Sequence, residues 1–289
     1  MTAGDILDSM RIRQWTKNVL VFAALVFSGH AFRLRETLRT AEAFILFCLL
    51  TGAVYILNDI IDEAKDREHP VKRLRPIASG RMSLRAAWTL FAVLGPLTLV
   101  LSFLFDIRFG AAALAYLLLQ IAYTLALKHV VILDVFVISF GFLLRVIAGA
   151  LPIHVVVSNW ILICTMLLAL FLALSKRRNE IVLLEGKADI HRLILREYTP
   201  HLLDQMIGVV TSATLVAYMI FTLAPETVAK FGGNMVLTVP FVLYGIFRYL
   251  YLAHTKNSGG MPEETLLSDL PLQLNILAYG IVAILVIYF

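Results

Sequence analysis

Eight apolar runs of about the length that crosses a bilayer recur along this chain, and nothing else in it limits the fold so severely. They are Thr40–Leu57, Ala86–Phe105, Phe109–Leu127, Val130–Ala150, Val155–Leu174, Leu202–Leu223, Met235–Leu252 and Leu270–Phe289. A ninth span is expected around Trp15–Phe32, where the apolar core VLVFAALVF is short and Lys17 has to snorkel toward the interface. No stretch between the runs is long enough for a soluble domain. The expectation is therefore an all-α polytopic membrane protein, a single domain over residues 1–289 with about nine helices around a central cavity. Only 16% of the residues are charged, against about 25% in soluble domains, and the mean hydropathy is +0.84. Cys48 and Cys164 lie inside apolar runs and make neither a metal site nor a disulfide framework. The first residues lack the pattern of a removable signal peptide.

With nine spans and an inside amino terminus, 18 of the 25 lysines and arginines fall on inside segments. The outside segments hold Arg33, Arg35, Arg39, Arg108 and Lys230. This skew orients the chain. Loops at about 58–85, 176–201 and 254–270 then share the cytoplasmic face and are expected to form one site there. The net charge of +5 becomes a local field at that face, part of it topology and attraction to anionic lipid. No nucleic-acid-binding fold or aromatic-basic platform accompanies the charge, which argues against a nucleic acid partner.

The first of these loops carries the chemistry. If the helix ending at Leu57 runs on for two turns, Asp59, Asp62 and Asp66 at i, i+3 and i+7 share one stripe, with Asn58 a turn from Asp62. Three like charges this close repel unless a cation joins them. Oxygen-only donors suit a hard ion, and Mg²⁺ commonly takes one or two carboxylates with water and substrate phosphates filling its shell. Asn58, Asp59, Asp62 and Asp66 are thus candidate metal ligands for a phosphorylated substrate bridged by magnesium. The alternative is a solvated helix in which Lys65, Arg67 and Asp66 pair among themselves. The loop that follows, interrupted by Pro70 and Pro76, supplies Arg67, Lys72, Arg73, Arg75 and Arg81, and guanidinium groups bind phosphate oxygens bidentately.

Two charged residues stand inside a span. Asp134 and Arg145 are eleven residues apart, about three turns, and so share a face. Such residues face a polar cavity or one another; a cavity wall and contacts to neighbouring helices both remain open, and Asp134 lies close enough to the inner end to meet Lys128. Glu263, Glu264 and Asp269 in the last inner loop suit helix capping or gating. Trp15, Trp88 and Trp160 fit an interfacial aromatic belt.

The acidic stretch resembles the UbiA superfamily of intramembrane prenyltransferases, whose first motif N-D-x-x-D-x-x-x-D stands here as Asn58 through Asp66. Within it the chain is most similar to the branch of decaprenyl-phosphate phosphoribosyltransferases. The strings that carry this likeness are RIRQWTKN (Arg11–Asn18), DREHPVKRLRPIASG, YTLALKHVVILDVFVISFGFLLRVIAGA (Tyr123–Ala150), LSKRRNE (Leu174–Glu180) and SGGMPEETLLSDLPL (Ser258–Leu272). One departure is informative. Aromatic prenyltransferases of the superfamily show a second aspartate-rich motif after the sixth span, whereas this chain has Lys176, Arg177, Arg178 and Glu180 there, with Asp189 its only aspartate. A basic site binds anions directly.

The resemblance implies transfer of 5-phosphoribose from phosphoribosyl pyrophosphate to a polyprenyl phosphate with release of pyrophosphate, serving cell-wall synthesis at the bacterial inner membrane. It implies Mg²⁺, with Mn²⁺ able to substitute, held by Asn58, Asp59, Asp62 and Asp66. Asp62, Asp66, Lys176 and Arg177 become the catalytic candidates. Gln14, Lys17, Asn18, Arg67, Lys72, Arg73, Arg75, Tyr123, Lys128, Asp134, Arg145 and Arg178 become the substrate-binding candidates. Membrane lipid is a further expected partner, and a homo-oligomer is left open. Seven scattered histidines offer no nucleophile and base pair; a phosphate monoester with a second pKa near 6 is already an anion and needs none. Two other readings compete: a prenyl group moved from its diphosphate to an aromatic or glycerol-phosphate acceptor, against which the basic SKRR string argues, and a transporter, for which no inverted repeat is found.

Overall fold

The computed structural model describes residues 2–184, 197–255, Thr265 and 268–289. Lys187, Asp189, Arg192, Arg196, Lys256, Glu263 and Glu264 lie outside them. Every regular element among the described residues is helical. Eight helices are long and apolar enough to cross a membrane, and each contains or overlaps one of the eight apolar runs. We number the α-helices α1 Ala3–Ser9, α2 Ala23–Phe27, α3 Leu34–Ile61, α4 Glu63–Glu68, α5 Leu84–Phe105, α6 Ile107–Leu125, α7 Leu133–Ala150 and α8 Asn159–Leu184. Then follow α9 Pro200–Leu223, α10 Pro225–Phe231, α11 Val239–Thr255 and α12 Leu270–Tyr288.

The starts of these helices are written in local chemistry. Ser83 accepts a hydrogen bond from the Ala86 amide at the head of α5, and Asp106 accepts from the Arg108 and Phe109 amides at the head of α6. Thr199 followed by Pro200 opens α9, and Asp269 ahead of Leu270 and Pro271 opens α12. Each side chain satisfies an amide that the first helical turn leaves without a partner, and proline at N1 or N2 loses no bond.

The segment expected as a ninth span is not one of the eight. Ile12–Phe22 forms a 3₁₀ helix of 11 residues that passes directly into α2. At about 2.0 Å per residue for the 3₁₀ part and about 1.5 Å for α2, the 16 residues still reach about 30 Å, close to the hydrocarbon thickness. Three residues per turn put Trp15, Asn18 and Val21 on one edge, and Asn18 and Val21 are fully buried. The backbone can come close because of a glycine on α7: a Cβ built on Gly149 would meet the Val21 carbonyl oxygen at 1.8 Å.

The chain forms two compact units. The first comprises Met1–Lys128 and Gly141–Val157, the second His129–Phe140 and Ser158–Phe289, so α7 contributes to both. In the first, α3 is the central helix, packed on α5, α6 and the 3₁₀ segment, with Phe47, Leu50, Phe109 and Tyr116 in its core. A second cluster, Met10, Ile56, Ile60, Ile77 and Met82, lies beneath the end of α3 that bears the aspartates. In the second unit α8 packs along α9, and Val135, Phe171, Leu174, Leu203 and Tyr249 form the core.

Candidate active site

Sequence expects one unbroken helix through Asp66; the structure breaks it at Asp62. α3 ends at Ile61, Asp62 adopts φ −90° and ψ 4°, and α4 begins at Glu63. The Asp62 amide nevertheless donates to the Asn58 carbonyl at 2.9 Å, and the Asp66 amide to the Asp62 carbonyl at 2.8 Å, so four-residue spacing survives the junction. The expected stripe survives with it. Arg75 Nη1 donates to Asp59 Oδ1 at 3.2 Å and also reaches Asp66 Oδ2, one guanidinium joining carboxylates seven residues apart. Arg11, at the start of the 3₁₀ segment, donates to the same Asp59 Oδ1. Lys128 Nζ donates to Asp62 Oδ1 at 2.6 Å. Arg67 pairs with Glu63 one turn away at 2.5 Å, rather than with the motif.

Burial raises the stakes of these contacts. Asp59 is 2% exposed and Asp66 3%. A carboxylate withdrawn from water is tolerable only with a close counter-charge. Three carboxylates are thus matched by three cations, all within the first unit. Among the described residues no three acidic, histidine or cysteine side chains converge as a preformed metal cage. The donors remain all oxygen, the set that suits a hard dication.

In the second unit the basic string of α8 is held by acids. Arg177 Nε donates to Asp134 Oδ2 at 2.9 Å, and its Nη1 to Glu180 Oε2 at 2.7 Å. The Arg177 side chain is 3% exposed and that of Asp134 0%. The Tyr198 hydroxyl donates to the other Asp134 oxygen at 2.8 Å and accepts from the Ile132 amide at 2.7 Å. Burial pushes the Tyr198 phenol up to about 12, so it remains a donor at any physiological pH. Arg178 pairs with Asp204, which His254 Nε2 also approaches at 3.3 Å. Lys176 is half-buried on the same turn.

Against these sites stand the known proteins. The profile described as the UbiA prenyltransferase family matches residues 19–263. The chain belongs to this family. A protein of Corynebacterium glutamicum named decaprenyl-phosphate phosphoribosyltransferase is 34% identical, with 99% of this chain and 87% of that protein aligned. Its namesake from Mycolicibacterium smegmatis is 32% identical over 96% of this chain and 90% of its own length. Among solved structures, a UbiA homolog from Archaeoglobus fulgidus bound to DMAPP and Mg²⁺ superposes with a TM-score of 0.71 at 18% identity, covering 98% of this chain and 96% of the other.

In this UbiA chain the residues expected from sequence fall into separate groups. Asn58, Asp59, Asp62, Asp66, Arg75 and Lys128 gather at the α3–α4 junction. Asp134 and Arg177 pair in the second unit, with Arg178 and Lys176 beside them on α8. Asn18 and Arg145 form a third group. Arg145 Nε donates to Asn18 Oδ1 at 2.8 Å and Nη2 to the Tyr116 hydroxyl at 2.9 Å, while Asn18 Nδ2 donates to Thr51 Oγ1 at 3.0 Å. Arg145 also lies over the rings of Tyr116 on α6, at 5.0 Å, and Phe47 on α3, at 5.9 Å, so contacts to neighbouring helices satisfy it. Asp134 and Arg145 therefore do not pair with each other. Gln14, Lys17, Lys72 and Tyr123 are half-buried and Arg73 exposed.

Arg11 and Tyr198 were missed. Arg11 stands in the RIRQWTKN string, yet nothing in the sequence ties it to Asp59 across 48 residues. The Tyr198 contact to Asp134 spans 64 residues and has no local signature at all.

Proposed function

We propose that this UbiA chain transfers 5-phosphoribose from phosphoribosyl pyrophosphate to a polyprenyl phosphate of decaprenyl type, releasing pyrophosphate. The observation that carries the reading is near-full-length similarity, at 32–34% identity, to relatives named for that acceptor and that reaction. The residues agree with it. Both substrates are phosphate-bearing, and their anionic groups would be met by Arg11, Arg75 and Lys128, which pair with the acidic motif, and by the basic string Lys176, Arg177 and Arg178.

Asn58, Asp59, Asp62 and Asp66 would hold Mg²⁺, whose bound charge neutralises a diphosphate leaving group. The side chains do the rest. A guanidinium already hydrogen-bonded to carboxylates can transfer its donors to phosphate oxygens without rebuilding its geometry, so Arg75 and Arg11 serve as reservoirs of positive charge for the departing diphosphate. Lys128, drawn to Asp62, offers a point charge to the same group. Lys176 and Arg178 moderate the repulsion between two anionic substrates, and Arg177, fixed by Asp134 and Glu180, holds the α8 turn in place for them. The lipid phosphate, ionised at neutral pH, attacks the anomeric carbon as diphosphate leaves. Charge neutralisation and alignment supply the rate, with no protein base required. In this reading the enzyme is Mg²⁺-dependent, sits in the bacterial inner membrane and works from the cytoplasmic face.

The test is direct: purified protein is incubated with Mg²⁺, labelled phosphoribosyl pyrophosphate and decaprenyl phosphate, and the lipid fraction is examined for label. A parallel incubation with prenyl diphosphate and 4-hydroxybenzoate covers the ordinary prenyl transfer. Labelled lipid in the first and no product in the second is the expected result; the reverse would sink the proposal.

A further inference from the structure

At the opposite end of α3 from the aspartates, Arg33, Arg35 and Arg39 crowd the first turns of the helix. The distance from Arg39 to Asp59 is 20 helical residues, about 30 Å, a full membrane thickness. Basic residues are normally scarce at one of the two faces, and Arg35 and Arg39, one turn apart, repel each other. A cavity of about 110 Å³ lies between them and the segment after α7, lined by Arg35, Glu36, Arg39, Pro152, Ile153 and His154. That is room for several waters. Two guanidiniums face a single carboxylate, so the cavity is electropositive. The Arg39 guanidinium rests on the Phe105 ring, 5.2 Å from its centroid, which fixes its plane. Its Nε is buried and has no hydrogen-bond partner among the described residues. The head of α3 has no side-chain cap, so the positive end of the helix adds to the field.

We propose that this cavity is a binding site for a phosphate group, taken by Arg35 and Arg39 at the membrane face remote from the aspartates. The buried Nε is the donor that the structure leaves to be filled, and a phosphate oxygen fills it with a charge-assisted bond. The group arrives either as a lipid headgroup or as free phosphate.

The site is read by binding, independently of turnover. Native mass spectrometry of detergent-purified protein titrated with phosphatidylglycerol, and melting temperature against inorganic phosphate, are compared for wild type, R35Q/R39Q and R108Q. Arg108 is exposed and outside the cavity. A lipid source predicts adducts about tenfold weaker in R35Q/R39Q and unchanged in R108Q. A free-phosphate source predicts equal lipid adducts, with melting raised by phosphate in wild type and R108Q alone. R39K, which keeps the charge and loses the fork, is measured alongside and is expected to fall between wild type and R35Q/R39Q for the same probe; it stands in if the double variant does not fold. Equal response of wild type and the arginine variants to both probes overturns the proposal, as does an R108Q loss as large as theirs.

Discussion

At Asp62 the carboxylate is partly covered, its side chain 23% exposed, while its partner Lys128 is 10% exposed. Water that still reaches the carboxylate screens the pair, which contributes about 1–2 kcal/mol, between an exposed and a fully buried one. Asp62→Asn is therefore expected to leave the melting temperature within a few degrees of wild type while lowering magnesium-dependent turnover about 100-fold, because the lost charge matters only when diphosphate departs. Equal turnover would remove Asp62 from the site. Tyr198 gives a second test at this scale. Its folded pKa of about 12 lies above the ordinary phenol value of about 10. The phenol's contribution to stability is then complete below about pH 10 and lost as pH rises toward 12, because the unfolded chain ionises first. Tyr198→Phe should abolish that alkaline component in a pH series of melting temperatures, and leave the neutral range without a slope change.

Between elements, the Asp134–Arg177 pair joins the first turn of α7 to α8 in full burial. Removing one partner strands the other, at a cost of about 3–5 kcal/mol. Asp134→Asn should therefore lower the melting temperature sharply, and Asp134→Leu with Arg177→Met should recover most of it while activity stays low; failure of the double variant to recover would point to a role beyond charge balance. The same pair shows where sequence was legible and where it was not. Apolar runs announce their helices because every lipid-facing residue must be apolar, and the N-D-x-x-D-x-x-x-D spacing announces its stripe because helix geometry is local. Arg177 read as a free anion binder, since its partner lies 43 residues earlier and pairing across elements leaves no periodic trace. The 3₁₀ segment was blurred for another reason. Lys17 and Asn18 dilute its hydropathy, and a period of three matches neither helix nor strand.

For the molecule as a whole, the orientation we propose from the skew of basic residues has the aspartates inside. A membrane-impermeant maleimide should label Ser79→Cys only after cells are opened, and Arg108→Cys in intact cells, each in a background lacking Cys48 and Cys164. Labelling of Ser79→Cys in intact cells would invert the topology and put the acidic site on the wrong face for the soluble phosphoribosyl pyrophosphate that we propose as donor. Among the described residues eight helices long and apolar enough to cross a membrane leave little chain for anything but helix, and the entry segment economises by stretching.

That stretch has a consequence of its own. Along the 3₁₀ segment every residue turns the chain by a third of a circle, so the ridge of Trp15, Asn18 and Val21 keys into α3 and α7 like teeth on a rack. One alanine inserted after Thr16 would swing Asn18 about 120° away from Arg145 and Thr51, whereas three would bring the following teeth back into mesh. A thermal melt of the two insertions should find the longer one the more stable, the inverse of what chain length alone would suggest.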